Sequence, residues 1–221
     1  MGVQERRARE KKELRQEILD AARELFLREG YENVSMRKIA EKIEYSPTTI
    51  YLYFQDKADL LDCICEETFQ RLVRKQNQVA ETIADPLDRL RQCLRGYIEF
   101  GLKHPNHYMV TFMMTRPSME LRGEAQADPD TRFKSHEVGK RAFNFLRGTL
   151  VECVEQGLLE IADLEATAQT LWASIHGLTS LLIARPKFPW VERERLIETL
   201  IANAIEGMRA GSSMVAADER R

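Results

Sequence analysis

Residues 35–57 read SMRKIAEKIEYSPTTIYLYFQDK, and this stretch decides the fold of the first part of the chain. Ile39, Ala40 and Ile43 recur at the spacing of one apolar helix face. Ser35 precedes them, and its short polar side chain is suited to cap the start of that helix. The pattern predicts a short helix that ends just before the sequence Glu-Tyr-Ser-Pro.

A second short helix is predicted to begin at Pro47, because the missing N–H of proline would have no partner in a first helical turn anyway. Ile50 and Phe54 are expected to be its buried side chains. The side chains expected to point outward are Thr48, Thr49, Tyr51 and Tyr53. A helix that buries one side and offers hydroxyls and aromatic rings on the other suits the DNA major groove. The stretch therefore predicts a DNA-binding helix-turn-helix.

Composition and charge restrict the classes of protein to which the chain can belong. The chain has 221 residues, is 43% hydrophobic and carries a formal net charge of -2, so a packed core is expected and nucleic-acid binding must rest on local charge. The first fifteen residues carry a small excess of positive charge. A solvated start to a helix explains this excess about as well as a nucleic-acid contact does.

Two further absences narrow the prediction. No apolar run approaches the roughly 18 residues of a membrane span, and the charged start of the chain is unlike a signal peptide, so a cytoplasmic location is expected. Four cysteines, at 63, 65, 93 and 153, have no histidine cluster beside them, so free thiols are expected and no metal or other cofactor. No nucleophile-base or phosphate-binding glycine pattern appears, so no catalytic residue is assigned.

Helix periodicity recurs along nearly the whole chain, and no strand-period alternation is long enough to build a sheet. The predicted fold class is all-α with about nine helices. Residues 1–57 form the predicted DNA-binding domain and residues 58–209 a helical ligand-binding and dimerisation domain. A loop is expected at 116–132 and a disordered tail at 210–221.

Residues 15–61 resemble the N-terminal domain of the tetracycline-repressor (TetR) family. The resemblance is carried by an ordered set of short motifs: Ile18-Leu19-x-x-Ala22, Leu25-Phe26, Gly30-Tyr31, Ile39-Ala40, Ile50-Tyr51-x-Tyr53-Phe54 and Lys57-x-x-Leu60-Leu61. In the second half, Trp172-Ala-Ser-Ile-His176-Gly177 is similar to a W-x-x-x-H-G signature in one branch of the family's ligand domains. The resemblance implies a homodimer that represses transcription and leaves its operator when a small molecule binds.

The resemblance also implies which residues contact double-stranded DNA. The recognition helix would span residues 47–54, with base contacts from Thr48, Thr49, Leu52 and Tyr53 and phosphate contacts from Tyr51 and Lys57. Further candidates are Arg37 and, at the helix N-termini, Ser35, Ser46 and Pro47. The cations supply the salt-dependent part of the affinity, while threonine and tyrosine side chains select bases.

Two positions depart from the family pattern. Glu44 stands where the family often has glycine, so this turn either holds a glutamate at positive φ, at a cost of about 1 kcal/mol, or adopts another geometry. Met36 replaces a small hydroxyl residue next to Arg37 and removes a possible phosphate contact. Both departures bear on which operator is bound.

The predicted ligand site is apolar. Aromatic and methionine side chains on the central helices make an adaptable wall for a hydrophobic or amphipathic effector, although most such residues are ordinary core. The candidates are Tyr97, Phe100, Met109, Phe112, Met113, Phe143, Leu146, Trp172 and His176. For His176 the alternative of a satisfied core histidine stays open. His104 and His107 are expected to shape a helix break rather than to bind a metal.

The last two helices, at 163–184 and 191–208, carry apolar faces too wide for helices that merely rest on a monomer. They predict a four-helix dimer interface and a roughly palindromic operator. The competing hypothesis is an architectural or cell-division protein that uses the same DNA-binding domain without a small-molecule effector. An enzyme is the least favoured class.

Overall fold

The structure is a computed structural model that describes residues 2–114 and 134–209. Within these ranges there are nine α-helices and no strand, which confirms the all-α prediction. The helices are α1 (Val3–Glu29), α2 (Met36–Lys42), α3 (Pro47–Tyr51), α4 (Lys57–Thr82), α5 (Pro86–Lys103), α6 (Pro105–Tyr108), α7 (Lys134–Glu155), α8 (Leu164–Ala184) and α9 (Arg193–Arg209). A π-helical turn, Met109–Met113, follows α6. The predicted loop at 116–132 and tail at 210–221 lie outside the described residues.

The chain forms two compact units. The first contains Met1–Phe69 with Asn106–Val138, and the second contains Gln70–Pro105 with the residues from Gly139 onward. Helix α4 therefore contributes its first half to one unit and its second half to the other. The predicted boundary at 57/58 differs from this division, because Leu60 and Ile64 of α4 are fully buried in the core of the first unit.

Helices α1, α2 and α3 and the first half of α4 surround one apolar core in the first unit. Helix α1 buries one face and ends at Gly30, whose φ of 80° lies in the left-handed region that glycine tolerates. Ile39 of α2 and Ile50 of α3 are fully buried in the same cluster, together with Val110 of the π-helical turn. Because Ile50 is held in this core, the opposite side of α3 faces solvent.

In the second unit α5 packs against α8 and α9. Asp85 caps α5 by accepting a hydrogen bond from the Asp88 N–H, and Pro86 occupies its first turn. Helix α7 ends at Glu155, and Gly157 in the turn that follows has φ of 67°, which glycine adopts readily. None of the helices in the two described ranges combines the length and the hydropathy needed to cross a membrane.

Candidate DNA-recognition surface and ligand site

The turn between α2 and α3 holds a glutamate in the left-handed region. Glu44 has φ of 59°, and its N–H bonds to the Glu41 carbonyl while the Tyr45 N–H bonds to the Ala40 carbonyl. These two bonds form the Schellman arrangement that ends a helix at a residue of positive φ. Of the two geometries open from the sequence, the structure has the strained one, and the motif's hydrogen bonds offset its cost.

Helix α3 is shorter than the predicted span of 47–54. It ends at Tyr51, because the Tyr53 N–H turns to the Ile50 carbonyl in a tighter turn and the Gln55 N–H bonds to the Asp59 carboxylate. Leu52 and Tyr53 therefore lie in the turn that follows the helix. Their side chains are still held in place, since Phe54 is 2% exposed and anchors the segment in the core.

The predicted recognition residues divide by exposure. Tyr51 is 56% exposed and Leu52 75% exposed, unusually high values for large apolar groups on a packed unit. Thr48 is also exposed, whereas Thr49 and Tyr53 are half-buried. Thr48, Tyr51 and Leu52 form what we call the recognition surface. These side chains lie outside the packed core of the first unit.

The serines at the two helix N-termini serve the fold first. The Ser35 hydroxyl accepts a hydrogen bond from the Lys38 N–H, and the Ser46 hydroxyl accepts one from the Thr49 N–H. The oxygens of Ser46 and Thr49 also lie 2.9 Å apart. Both serines are exposed caps whose side chains fix where α2 and α3 begin.

The predicted phosphate-contacting cations already have partners within the first unit. Arg37 is exposed, but its Nε lies 2.8 Å from the Glu41 carboxylate. Lys57 Nζ donates to the Tyr31 carbonyl at 2.7 Å and stands 4.1 Å from the centre of the Tyr31 ring. Arg37 can exchange its surface ion pair for a phosphate at little cost, whereas Lys57 is held in a half-buried position.

Tyr45 lies beside the recognition surface and was not identified from the sequence. It directly follows Glu44, is 44% exposed and lies next to Ser46 at the start of α3. A large aromatic residue in a two-helix turn was the available signal. Its exposure adds a second aromatic ring beside the recognition surface.

In the second unit four predicted ligand residues come together. The Tyr97 hydroxyl of α5 lies 3.2 Å from Nδ1 of His176 on α8. The Trp172 ring is 6.2 Å from the His176 ring and 6.1 Å from the Phe143 ring, centre to centre. We call Tyr97, Phe143, Trp172 and His176 the aromatic cluster. Burial lowers the pKa of His176, so its ring is neutral near pH 7.

The other five predicted ligand residues are divided between the units. Phe100 and Leu146 are buried in the second unit, where Phe100 contacts the His104 ring. Met109, Phe112 and Met113 belong to the first unit, where Phe112 packs edge-on against Phe69. The nine residues were predicted as one wall from their apolar character alone, and that character does not assign them to a unit.

Gln76 was not singled out in the sequence, although the structure buries it. It is 7% exposed, and its Nε2 donates to the Ala142 carbonyl at 3.0 Å in the second unit. Its Oε1 is buried and has no hydrogen-bond partner among the described residues. A glutamine on an apolar helix face was the signal. The structure thus places an available acceptor between α4 and α7.

The remaining histidines and the cysteines have structural environments. His107 lies 3.3 Å from the Thr68 hydroxyl within the first unit, and burial lowers the pKa of His104. The described residues hold no cluster of three metal-ligating side chains. The four cysteines are free thiols, and burial raises the pKa of Cys63 and of Cys93 to about 12. Such thiols are protonated and unreactive at neutral pH.

The last two helices bury only part of their apolar residues. Ile197, Ile201 and Ile205 of α9 are buried within the second unit, whereas Leu200 on the same helix is half-exposed. On α8, Leu181 is 48% exposed. The wide stripe seen in the sequence thus divides into a face used by the chain itself and a face open to solvent.

The fold and these surfaces define a class: a helix-turn-helix DNA-binding protein with a helical second unit. Residues 18–64 match the family model for bacterial regulatory proteins of the tetR family, and residues 90–204 match the tetracyclin repressor-like C-terminal domain. The chain therefore belongs to the tetR family of transcriptional regulators. It is a DNA-binding transcriptional regulator of the ligand-responsive kind, as the sequence predicted.

Individual relatives agree with the family match. The chain is 25% identical over 191 residues to a fatty acid metabolism regulator protein of Bacillus subtilis, covering 86% of this chain and 94% of the relative. It is 31% identical over 141 residues to the repressor KstR of Rhodococcus jostii, covering 63% and 61%. The structure of FadR from Bacillus subtilis in complex with stearoyl-CoA matches with a TM-score of 0.64 at 25% identity, covering 89% and 98%. These relatives are regulators rather than enzymes.

Proposed function

We propose that this protein is a homodimeric repressor that leaves a palindromic operator when an amphipathic acyl compound binds its second unit. The observation that carries the DNA-binding part is the recognition surface. Thr48, Tyr51 and Leu52 are held outward by buried Ile50 and Phe54, so their exposure is maintained by the core. Such rigid polar and apolar side chains suit contacts with base edges, thymine methyl groups and phosphates at a major groove.

The contacts at this surface divide into two kinds. Thr48, Thr49, Leu52 and Tyr53 select bases, while Tyr51 and Arg37 bind phosphates and set the register. The caps Ser35 and Ser46, together with Pro47, direct the N-termini of α2 and α3 towards the phosphate backbone of the DNA. Lys57 acts mainly by anchoring Tyr31, because its ammonium already binds that residue's carbonyl.

The effector class is proposed from the relatives and from the aromatic cluster. The FadR relative from Bacillus subtilis is named for fatty acid metabolism, and its solved structure is a complex with stearoyl-CoA. Tyr97 and His176 offer a polar pair beside the apolar rings of Phe143 and Trp172, a combination that suits a molecule with a polar group on a long apolar chain. Phe100 and Leu146, which are buried in the same unit, extend the proposed set of ligand contacts.

The dimer is proposed through α8 and α9. Exposed Leu181 and half-exposed Leu200 are apolar groups left over after each helix has packed on its own unit. A two-fold partner would cover them and would present two recognition surfaces to a palindrome. We place the protein in the cytoplasm, where a bacterial operator lies, as we expect from the sequence.

Helix α4 is the proposed route of coupling, because it is continuous through both units. Effector binding would shift α4 and change the separation of the two recognition surfaces in the dimer. Linkage requires that the effector bind the DNA-incompetent state more tightly and that DNA weaken effector binding by the same factor.

Fluorescence anisotropy on the DNA next to the protein's own gene tests the proposal. We expect saturable binding that resists non-specific competitor, weakens with salt and falls about tenfold or more in Tyr51→Ala. Val154→Ala, a change at an exposed residue of α7, is the matched control and should bind as wild type. Stearoyl-CoA should cause the protein to release the DNA. Stearate and free CoA, tested separately, show which part of the molecule is responsible. Unchanged operator affinity at saturating stearoyl-CoA would remove this effector class, and specific binding unaffected by Tyr51→Ala would remove the assigned surface.

A further inference from the structure

The first eleven residues of α1, Val3–Glu13, form a helical segment that packs on nothing in the first unit. Every side chain in this segment is exposed, and burial begins only with Leu14 and Ile18. We call Val3–Glu13 the arm. A helix that is polar all round and carries no buried face does not stabilise the unit from which it extends.

The cations of the arm fall into two groups. Arg6 and Arg9 face carboxylates one turn further on, at 3.4 Å from Glu10 and 3.8 Å from Glu13. Three more cations make no ion pair with any carboxylate that the structure describes, and these are Arg7, Lys11 and Lys12. Arg7 and Lys11 are four residues apart, so they share one face of the helix. Arg7 and Lys11 thus present two neighbouring positive charges that are not in ion pairs with the described carboxylates.

The arm leads into the first unit at Arg15, next to the residue that anchors the end of the helix-turn-helix. The Arg15 guanidinium lies 5.1 Å from the centre of the Phe54 ring, just after α3, and 3.7 Å from the Glu67 carboxylate. Towards Val3 the helix rises about 1.5 Å per residue, so the arm reaches about 18 Å beyond Arg15. That length corresponds to about five base pairs at roughly 3.4 Å each.

The helix-turn-helix itself has few uncommitted cations. Arg37 pairs with Glu41 at 2.8 Å, Lys38 with Glu29 at 2.9 Å and Lys42 with Glu24 at 2.8 Å. Glu44 adds a further negative charge at the turn. Each of these cations must exchange an ion pair in order to bind a phosphate, whereas Arg7, Lys11 and Lys12 have no carboxylate partner among the described residues.

We propose that the arm is a second DNA-binding element, in which Arg7, Lys11 and Lys12 bind phosphates that flank the sequence read by the recognition surface. This inference rests on the proposed DNA-binding function and adds a separate contact to it. The arm supplies sequence-independent affinity, because phosphates look alike in every sequence. It therefore lengthens the footprint without altering which bases are selected.

The test compares wild type with a variant that carries Arg7→Gln, Lys11→Gln and Lys12→Gln. The control carries Arg74→Gln, Arg141→Gln and Lys187→Gln, which removes the same charge at exposed positions of the second unit. Operator affinity is measured against salt on the DNA next to the protein's own gene. We expect the plot of log K against log salt to become shallower by about 2 to 3 per arm in the arm variant, with no such change in the control.

A second measurement locates the contact. Shortening the duplex by about five base pairs at each end should weaken wild-type binding and leave the arm variant unchanged, so that the two proteins become equal on the short duplex. An arm variant with the wild-type salt slope and footprint would overturn the inference while leaving the recognition surface intact. A wild-type protein that prefers no DNA sequence would instead overturn the proposed function, and the arm's role with it. Wild-type thermal unfolding is expected for the arm variant, since its three side chains pack on nothing.

Discussion

The Tyr97 hydroxyl lies 3.2 Å from Nδ1 of His176, and this contact joins α5 to α8 within the second unit. Both residues belong to the aromatic cluster, and His176 is the titratable group among apolar rings. Burial lowers the pKa of His176 below its usual value of about 6.5. The neutral ring is thus the form that the folded chain stabilises.

Trp172 reports the protonation of His176, because the two rings are 6.2 Å apart and an imidazolium quenches indole fluorescence. In a Trp190→Phe background we expect fluorescence to fall with a midpoint below pH 6.5, and to stay flat when His176→Gln is added. Since the folded-state pKa is lowered, the unfolded chain binds the proton first, and stability is lost as pH falls from about 6.5 through that lower pKa. A midpoint above 6.5 would contradict the burial of this ring.

A buried ion pair between α1 and α4 is expected to stabilise the first unit. The Arg23 side chain is 8% exposed and lies 2.6 Å from Asp20 and 3.5 Å from Glu67. Glu67→Ala should lower the free energy of unfolding by about 1 kcal/mol, because Arg23 loses one carboxylate neighbour and keeps Asp20. Urea unfolding measures the loss. Adding Arg23→Met should restore part of it, and two purely additive changes would mean that the pair is not coupled.

The turn at Glu44 separates strain from charge. Glu44→Gly relieves the positive φ of 59° and should raise the free energy of unfolding by up to about 1 kcal/mol. Glu44→Gln keeps the strain and removes only the negative charge, so its stability should match that of wild type. Both variants should bind DNA more tightly at low salt. If the glutamine variant were stabilised as much as the glycine one, charge and not backbone strain would be the cause.

Gln76 provides a test of a buried polar group. Methionine has a similar volume to glutamine but lacks the Oε1 that has no partner among the described residues. Gln76→Met should therefore raise the free energy of unfolding by about 1 kcal/mol. If this acceptor serves the effector, the same variant should bind stearoyl-CoA more weakly. Greater stability with unchanged stearoyl-CoA affinity would place Gln76 outside the ligand site.

Leu181 tests the proposed dimer. Placing a charge at this exposed apolar position of α8 by Leu181→Glu should shift the protein to monomer in sedimentation at micromolar concentration, because the charge would be buried by the partner. Val154→Glu, on α7 of the same unit, is the control and should leave the dimer intact. A monomeric wild type would contradict the dimer itself, and a fully dimeric Leu181→Glu would move the interface elsewhere.

Local sequence determined where several helices begin and end. Helix starts at Ser35, Pro47 and Asp85 follow from capping chemistry, and ends just before Gly30 and Gly157 follow from positive φ, so each boundary depends on a few neighbouring residues. The burial of Ile39 and Ala40 on α2 follows from helical period in the same way. Membership of the tetR family likewise rests on motifs that lie in order along the chain.

The tertiary structure decided what depends on residues distant in sequence. Lys57 has the charge of a phosphate contact, but the Tyr31 carbonyl, 26 positions away, holds it. Met109 and Tyr97 look equally suited to an apolar pocket, yet they belong to different units. Gln76 acquires an acceptor without a described partner because α7 packs beside it. Periodicity and capping are properties of neighbours along a helix, whereas burial, pairing and pKa arise from side chains that meet only when the chain has folded.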